Sequence, residues 1–89
     1  MIIEKKIDKE MFEKVKRGEK TFEVRIEDDC KFSEGDIIVL KEVVKGKFSG
    51  RKLEKMIGFI LRTKETNYWP EEKIKKFGFS VLSLKDVSD

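Results

Sequence analysis

The chain has 89 residues, of which 38% are hydrophobic and fall in periodic runs, so it predicts one small folded domain over residues 1–89 even though 44% of the residues are charged. A single cysteine, Cys30, and the absence of histidine exclude an internal disulfide, the common zinc sites and histidine-based catalysis, so we expect no metal and no cofactor. No apolar run approaches the roughly 18 residues of a membrane span and the first residues lack a signal-peptide core, so we expect a cytoplasmic protein with no membrane partner.

The first predicted elements are a short strand and a helix. Isoleucines within residues 2–7 indicate the strand, and Asp8 then has a side chain suited to a helix N-cap. Apolar residues at helical spacing predict a helix over residues 9–17. Gly18 follows directly and is placed to end this helix in the left-handed conformation.

The second predicted strand covers residues 21–26 and alternates apolar with polar residues. We expect its apolar set to be buried, which would place Thr21, Glu23 and Arg25 together on the opposite face. Glu23 and Arg25 would then lie about 7 Å apart by strand rise. The apolar set consists of Phe22, Val24 and Ile26.

The sequence pattern in the middle of the chain predicts two further strands. A continuous apolar run over residues 37–40 is typical of a strand covered on both faces. Residues 45–50 contain two glycines and predict a hairpin loop, from which the chain returns as a strand over residues 51–61. Gly58 within that strand indicates a bulge.

The last predicted elements are a second short helix over residues 70–77, with Pro70 at its first position, and a closing strand over residues 79–84. The total is five unequal strands and two short helices, with connections too short for repeated crossover units. This arrangement favours an α+β fold built on a mainly antiparallel, curled sheet or small β-barrel.

Charge is spread unevenly along the chain, which has a formal net charge of +3. Residues 23–36 hold six acidic and two basic side chains, whereas residues 41–76 hold eleven lysines and arginines against five glutamates. The basic segment could contact phosphates, or its lysines could simply keep a small protein in solution. The abundance of lysine and glutamate is also typical of thermophile proteins.

Residues 18–25 contain the pattern Gly18-x-Lys20-x-x-Glu23-x-Arg25 at the exit of the first helix. This pattern resembles the G-x-K-x-x-E-x-R signature of ASCH domains, a branch of the PUA-like superfamily, at all four positions. The resemblance covers nearly the whole chain and extends to a small bacterial and archaeal ASCH-like family of unassigned function. It implies a PUA-like β-barrel with a helix near a cleft, motif side chains lining that cleft, and a role in binding RNA or a modified nucleotide.

The motif residues suit a ligand-binding cleft on chemical grounds as well. Lys20 and Arg25 could hold a phosphate or a carboxylate, while Glu23 orients Arg25 or accepts a hydrogen bond from a base edge. The plain alternative is a Glu–Arg pair that stabilises the strand by roughly 0.2 to 1 kcal/mol. Tyr68 and Trp69 could stack on a nucleobase, although Trp69 could equally close one end of the barrel.

Two functional hypotheses follow. The leading one is a monomer that binds RNA or a nucleotide-like ligand through Lys20, Glu23, Arg25, Tyr68 and Trp69. The alternative is a small amidohydrolase, because some ASCH proteins remove the acyl group of N4-acetylcytidine with a lysine, a threonine and a glutamate. Lys20 matches that lysine, but Glu23 stands where those enzymes have threonine, so the catalytic set would be Lys20, Thr21 and Glu23.

Overall fold

The strands of the computed structural model, which describes residues 1–68, 70–71 and 78–87, form one sheet curled into a half-barrel. The strands are β1 (Ile2–Asp8), β2 (Phe22–Arg25), β3 (Ile37–Val44), β4 (Lys47–Arg62) and β5 (Ser80–Asp86), and a short 3-10 helix at Thr63–Glu65 follows β4. Their order in the sheet is β1-β3-β4-β5-β2. Only the β1–β3 pair is parallel, so the predicted mainly antiparallel, curled sheet is confirmed.

The helix α1 (Lys9–Lys16) begins as predicted and ends one residue earlier than predicted, with Arg17 as its C-cap. Asp8 Oδ1 accepts a hydrogen bond of 2.8 Å from the Met11 amide, which is the N-cap interaction. At the other end Gly18 has φ +81°, and the Gly18 and Glu19 amides donate to carbonyls of the last helical turn in a Schellman motif. In the described part of the chain no helix is long and apolar enough to cross a membrane. The predicted second helix falls largely on residues 72–77, which lie outside the described residues.

The hydrophobic core lies between α1 and the inner face of the sheet. Ile38 and Leu40 of β3 are completely buried, so the prediction that residues 37–40 form a deeply buried strand is confirmed. Cys30 is half-buried and packs against this core. The buried members of the core are Ile3, Ile7, Phe12, Val15, Phe32, Ile38, Leu40, Ile57 and Leu82.

The β3–β4 connection differs from the prediction. The loop expected over residues 45–50 is a two-residue turn, Lys45-Gly46, because β3 continues to Val44 and β4 begins at Lys47. Both turn residues have positive φ, 52° and 80°, which is the conformation that matches the twist of a tight hairpin. The bulge predicted at Gly58 is confirmed, since the β4–β5 register shifts between Ile57 and Ile60.

The burial predicted for β2 is wrong. Phe22, Val24 and Ile26 are 48%, 47% and 44% exposed, whereas Glu23 between them is only 5% exposed. The alternation itself is correct within β2, but Glu23 and Arg25 face inward, while Thr21 lies before the strand and is exposed. An edge strand can be oriented this way when ion pairs compensate the buried charge, and Glu23 and Arg25 form such a pair.

A buried carboxylate, Glu42, fastens the β3–β4 hairpin to the helix. Glu42 accepts hydrogen bonds from Arg51 Nη2 at 2.7 Å, Arg51 Nε at 3.0 Å and Ser49 Oγ at 2.6 Å. Arg51 Nη2 also lies 2.5 Å from Glu13 Oε1 on α1, and its guanidinium stacks 4.6 Å from the centre of the Phe12 ring. The hydrogen bonds from Arg51 and Ser49 lower the pKa of Glu42 to about 2.

A second carboxylate, Glu27, fastens the loop after β2 to β4 and β5. Arg62 Nε donates to Glu27 Oε1 at 2.7 Å, the Phe32 amide donates to Oε2 at 2.8 Å, and the Ser80 hydroxyl donates to Oε1. These bonds, led by that of Arg62, outweigh burial and lower the pKa of Glu27 to about 2.

Stability should therefore depend on pH in the acid range. A carboxylate with a depressed pKa in the folded state stabilises the fold above its ordinary pKa of 4.5 and ceases to do so as the pH falls through about 2. The free energy of unfolding, measured by urea denaturation, should fall between about pH 5 and pH 2, and Glu27→Gln should flatten this slope. Glu54→Gln removes an exposed carboxylate and should leave the slope unchanged; equal slopes in all three proteins would contradict the assignment.

The left-handed conformation of Gly18 gives a second test. A side chain there meets no heavy atom within 4 Å, so any cost of substitution comes from backbone strain alone. Gly18→Ala should lower the free energy of unfolding by about 1 kcal/mol, and Gly18→Asn by less, because asparagine tolerates this conformation better. Chemical denaturation of the three proteins measures the order, and an alanine variant as stable as the wild type would contradict it.

Candidate functional site

A cleft lies where the two edges of the half-barrel approach each other. β1 and β2 are the outermost strands of the sheet, yet Arg25 Nη2 on β2 donates a 2.7 Å hydrogen bond to the Lys6 carbonyl on β1. A second link joins Lys5 Nζ to Asp29 Oδ1 at 3.0 Å, and this bond raises the pKa of Lys5 and lowers that of Asp29. We call this line of contact between the edge strands the seam. The Arg25–Lys6 and Lys5–Asp29 contacts close the seam at two points.

Glu23 is the centre of the polar contacts at the seam. Its Oε1 accepts from Lys20 Nζ, and its Oε2 accepts from Arg25 Nε at 2.7 Å. Arg25 Nη2 lies 2.5 Å from the same oxygen as an ion pair. Only 6% of the Glu23 side chain is exposed, against 13% for Lys20 and 24% for Arg25. A carboxylate buried to this degree is stable as an anion when such charged donors satisfy it.

The end of α1 positions Lys20 for this contact. The Schellman motif at Gly18 reverses the chain, and the Lys20 amide then donates to the Lys14 carbonyl at 3.0 Å. Lys20 Nζ also donates to the Phe22 carbonyl at 2.6 Å and lies 5.1 Å from the centre of the Phe22 ring. The glycine of the motif therefore fixes where the lysine of the motif can reach.

The cleft has a volume of about 270 Å³ and walls of mixed character. Ile7, Met11 and Val24 supply apolar surface, and cations on both edge strands supply charge. Three residues of the lining are cationic, Lys6, Lys20 and Arg25, and two are acidic, Asp8 and Glu23. The full lining is Lys6, Ile7, Asp8, Met11, Lys20, Glu23, Val24 and Arg25.

The structure brings together three of the residues predicted for the site. Lys20, Glu23 and Arg25 all line the cleft, as the resemblance implied. Thr21 is exposed and does not line it; its carbonyl accepts from the Leu84 amide at 2.9 Å. Tyr68 is 70% exposed and also lies outside the lining, and Trp69 lies outside the described residues.

Sequence reasoning missed the part of the cleft supplied by β1 and α1. Lys6, Ile7, Asp8 and Met11 were assigned no role in the site, although Asp8 was correctly predicted as the N-cap. Their participation follows from the approach of β1 to β2 across the seam. β1 and β2 are at opposite edges of the sheet, so no local sequence pattern predicts that they approach each other.

Comparison with protein families gives one match. Residues 2–83 match the model of a family described as a domain of unknown function, DUF3850. The chain belongs to the DUF3850 family. Comparison with curated proteins found no match. The family description assigns no activity, so the chemistry of the cleft must indicate what this DUF3850 domain does.

The cleft retains hydrogen-bond donors after its internal contacts are made. Lys20 Nζ uses two of its three donors on Phe22 and Glu23, and Arg25 Nη1 donates to none of the described residues. These donors suit an anionic or strongly hydrogen-bonding ligand. Within the described ranges no three histidine, cysteine or acidic side chains are grouped to hold a metal ion.

Loss of the Glu23 charge should destabilise the fold, because two partly buried cations would lose their partner. We expect Glu23→Gln to lower the free energy of unfolding by about 2 kcal/mol. Glu19→Gln is a matched control: Glu19 also pairs with an arginine two residues away, Arg17 Nη2 at 2.8 Å, but both side chains are more than half exposed. Urea denaturation should detect no change for Glu19→Gln, and equal effects in the two variants would contradict the role given to burial.

Proposed function

We propose that this DUF3850 domain is a PUA-like domain of the ASCH type that binds RNA or a nucleotide-like ligand in the seam cleft. The observation that carries the proposal is that Lys20, Glu23 and Arg25 line one concave site. If the three charged side chains of the motif only kept the surface polar, they would not need to lie in the same cleft. The resemblance of residues 18–25 to the ASCH signature supports the same function.

The composition of the cleft supports a ligand that is partly flat and apolar and partly anionic. Ile7, Met11 and Val24 offer apolar surface against which a base can lie. Lys20 and Arg25 offer charged donors for a phosphate or for base oxygens, and Glu23 holds both in place. The volume of about 270 Å³ lies just below the range of about 300 to 1,000 Å³ usual for small-molecule sites, so we expect one nucleoside unit to enter.

The amidohydrolase alternative receives less support from the same geometry. Lys20 is engaged with Glu23 and the Phe22 carbonyl, so it serves as a charge partner rather than as a free amine nucleophile. Thr21 does not line the cleft. Incubation with N4-acetylcytidine, followed by mass spectrometry, tests the alternative directly. Release of cytidine by the wild type but not by Lys20→Ala would favour the enzyme.

Binding should depend on Lys20 and on salt. A fluorescein-labelled RNA pentanucleotide of random sequence should bind saturably by fluorescence anisotropy, and the affinity should fall as salt rises from about 50 to about 200 mM. Lys20→Gln should weaken binding about tenfold, because it removes a partly buried cation from the cleft.

Lys31→Gln is the matched control for this measurement, because it removes the same charge from an exposed position outside the cleft. It should bind the pentanucleotide like the wild type. Circular dichroism spectra should coincide for the three proteins. Absence of saturable, salt-sensitive binding in the wild type would overturn the proposed function, and so would equal losses in Lys20→Gln and Lys31→Gln.

A further inference from the structure

We propose that the ligand is a single-stranded RNA longer than one nucleotide, whose backbone leaves the cleft over a row of three lysines and one of whose bases stacks on Phe48. The row consists of Lys6, Lys41 and Lys52, and we call it the lysine row. This inference rests on the proposed function, since it extends the occupant of the cleft onto the neighbouring surface.

The register of the sheet aligns the lysine row. Lys6 on β1 is paired with Lys41 on β3, and Lys41 is paired with Lys52 on β4. Paired residues of adjacent strands point to the same face, so the three side chains stand side by side on the outer face of the half-barrel. Strands lie about 4.8 Å apart, so the row spans about 10 Å. The phosphates of one strand of a DNA duplex recur about every 3.4 Å of helix axis, so a row of this length can meet more than one phosphate even where a single strand spaces them more widely.

An exposed aromatic ring stands within the lysine row. Phe48 is the second residue of β4, and its side chain is 54% exposed. Lys41 Nζ lies 4.3 Å and Lys6 Nζ 5.9 Å from the centre of its ring. An aromatic face surrounded by cations is the combination with which proteins bind single strands, because a base stacks on the ring while lysines meet the flanking phosphates.

The lysine row is continuous with the cleft. Lys6 belongs to both, since it lines the cleft and its ammonium approaches Phe48. Its carbonyl also accepts from Arg25, so the row begins where the motif side chains end. A strand that leaves the cleft at Lys6 therefore meets Lys41 next and Lys52 beyond it.

The cations of the row are available to a ligand, in contrast to the arginines of the same basic segment. Within the described residues, Lys6 and Lys52 have no carboxylate at ion-pair distance, and Lys41 has only Glu4, at 3.9 Å and largely exposed. Arg51 is bound to the buried carboxylate of Glu42, and Arg62 to the half-buried carboxylate of Glu27. Among the described residues of this segment, the cations without a bound carboxylate are thus lysines, although Lys55 is paired with Asp86.

The experiment compares a mononucleotide with an oligonucleotide. The probes are a nucleoside 5′-monophosphate mixture and the labelled random RNA pentanucleotide, tested against wild type, Lys41→Gln/Lys52→Gln, Phe48→Leu and Lys31→Gln. We expect the double variant to weaken pentanucleotide binding about tenfold and to reduce the slope of log affinity against log salt by about 0.7 for each lysine. Phe48→Leu should weaken it about tenfold through lost stacking. None of these changes should alter mononucleotide binding.

Two further measurements sharpen the test. Glu4→Gln removes the carboxylate that competes for Lys41, so it should raise affinity for the pentanucleotide. Duplex RNA should compete weakly, because its paired bases cannot stack on Phe48. Duplex RNA that competes as well as single strands would overturn the assignment.

The outcomes separate this inference from the proposed function. If the double variant keeps wild-type affinity and salt slope while Lys20→Gln weakens both probes, the lysine row is overturned and the cleft proposal stands. If Lys20→Gln binds like the wild type while the double variant is impaired, the cleft proposal falls and with it the continuity proposed here. If neither probe binds the wild type, both are overturned.

Discussion

The ion pairs of Glu23 are the interaction on which both the closure of the half-barrel and the shape of the cleft depend. A carboxylate buried to this extent must be satisfied, and Lys20 and Arg25 satisfy both of its oxygens. Arg25 Nη2, which lies beside the Glu23 carboxylate, also donates to the Lys6 carbonyl across the seam. The same contacts thus stabilise the approach of β1 to β2 and form the polar wall of the cleft, so a substitution of Glu23 changes both the stability of the fold and the shape of the cleft.

The inward orientation of Glu23 also determines which side chains of β2 lie on the outer face of the sheet. Because side chains alternate along a strand, the inward Glu23 forces Phe22 and Val24 onto the outer face. Val24 pairs with Val81 of β5 there, so the apolar face of β2 continues onto its neighbour. An alternating sequence establishes two faces but not which of them is covered, and hydrophobicity alone favoured the wrong one. The decisive contacts come from Lys20 at the exit of the helix and from the carbonyl of β1.

Features set by a few neighbouring residues could be predicted from the sequence, and features set by distant strands could not. The cap at Asp8, the left-handed Gly18 and the bulge at Gly58 each follow from local backbone chemistry, and all three are confirmed. The hairpin was predicted, but its loop was predicted too long, because Lys45, rather than glycine or asparagine, occupies the first left-handed position. The motif side chains were found through their pattern, whereas Lys6 and Met11 enter the cleft only because the sheet curls.

Arginines and lysines have different roles in this highly charged chain. Arginines bind carboxylates within the fold, whereas lysines of the outer face remain available for the proposed ligand. The carboxylates of Glu23, Glu27 and Glu42, which are buried or half-buried, are each bound by an arginine, whose planar fork can donate two hydrogen bonds to one carboxylate. The lysines of the outer face have no such partners among the described residues, Lys41 excepted. A flexible, strongly hydrated ammonium is suited to a mobile phosphate chain, since it can follow the ligand without losing a fixed geometry. Counts of basic residues along the chain therefore overstate the charge available to a ligand, and the partners of each cation decide which of them can bind.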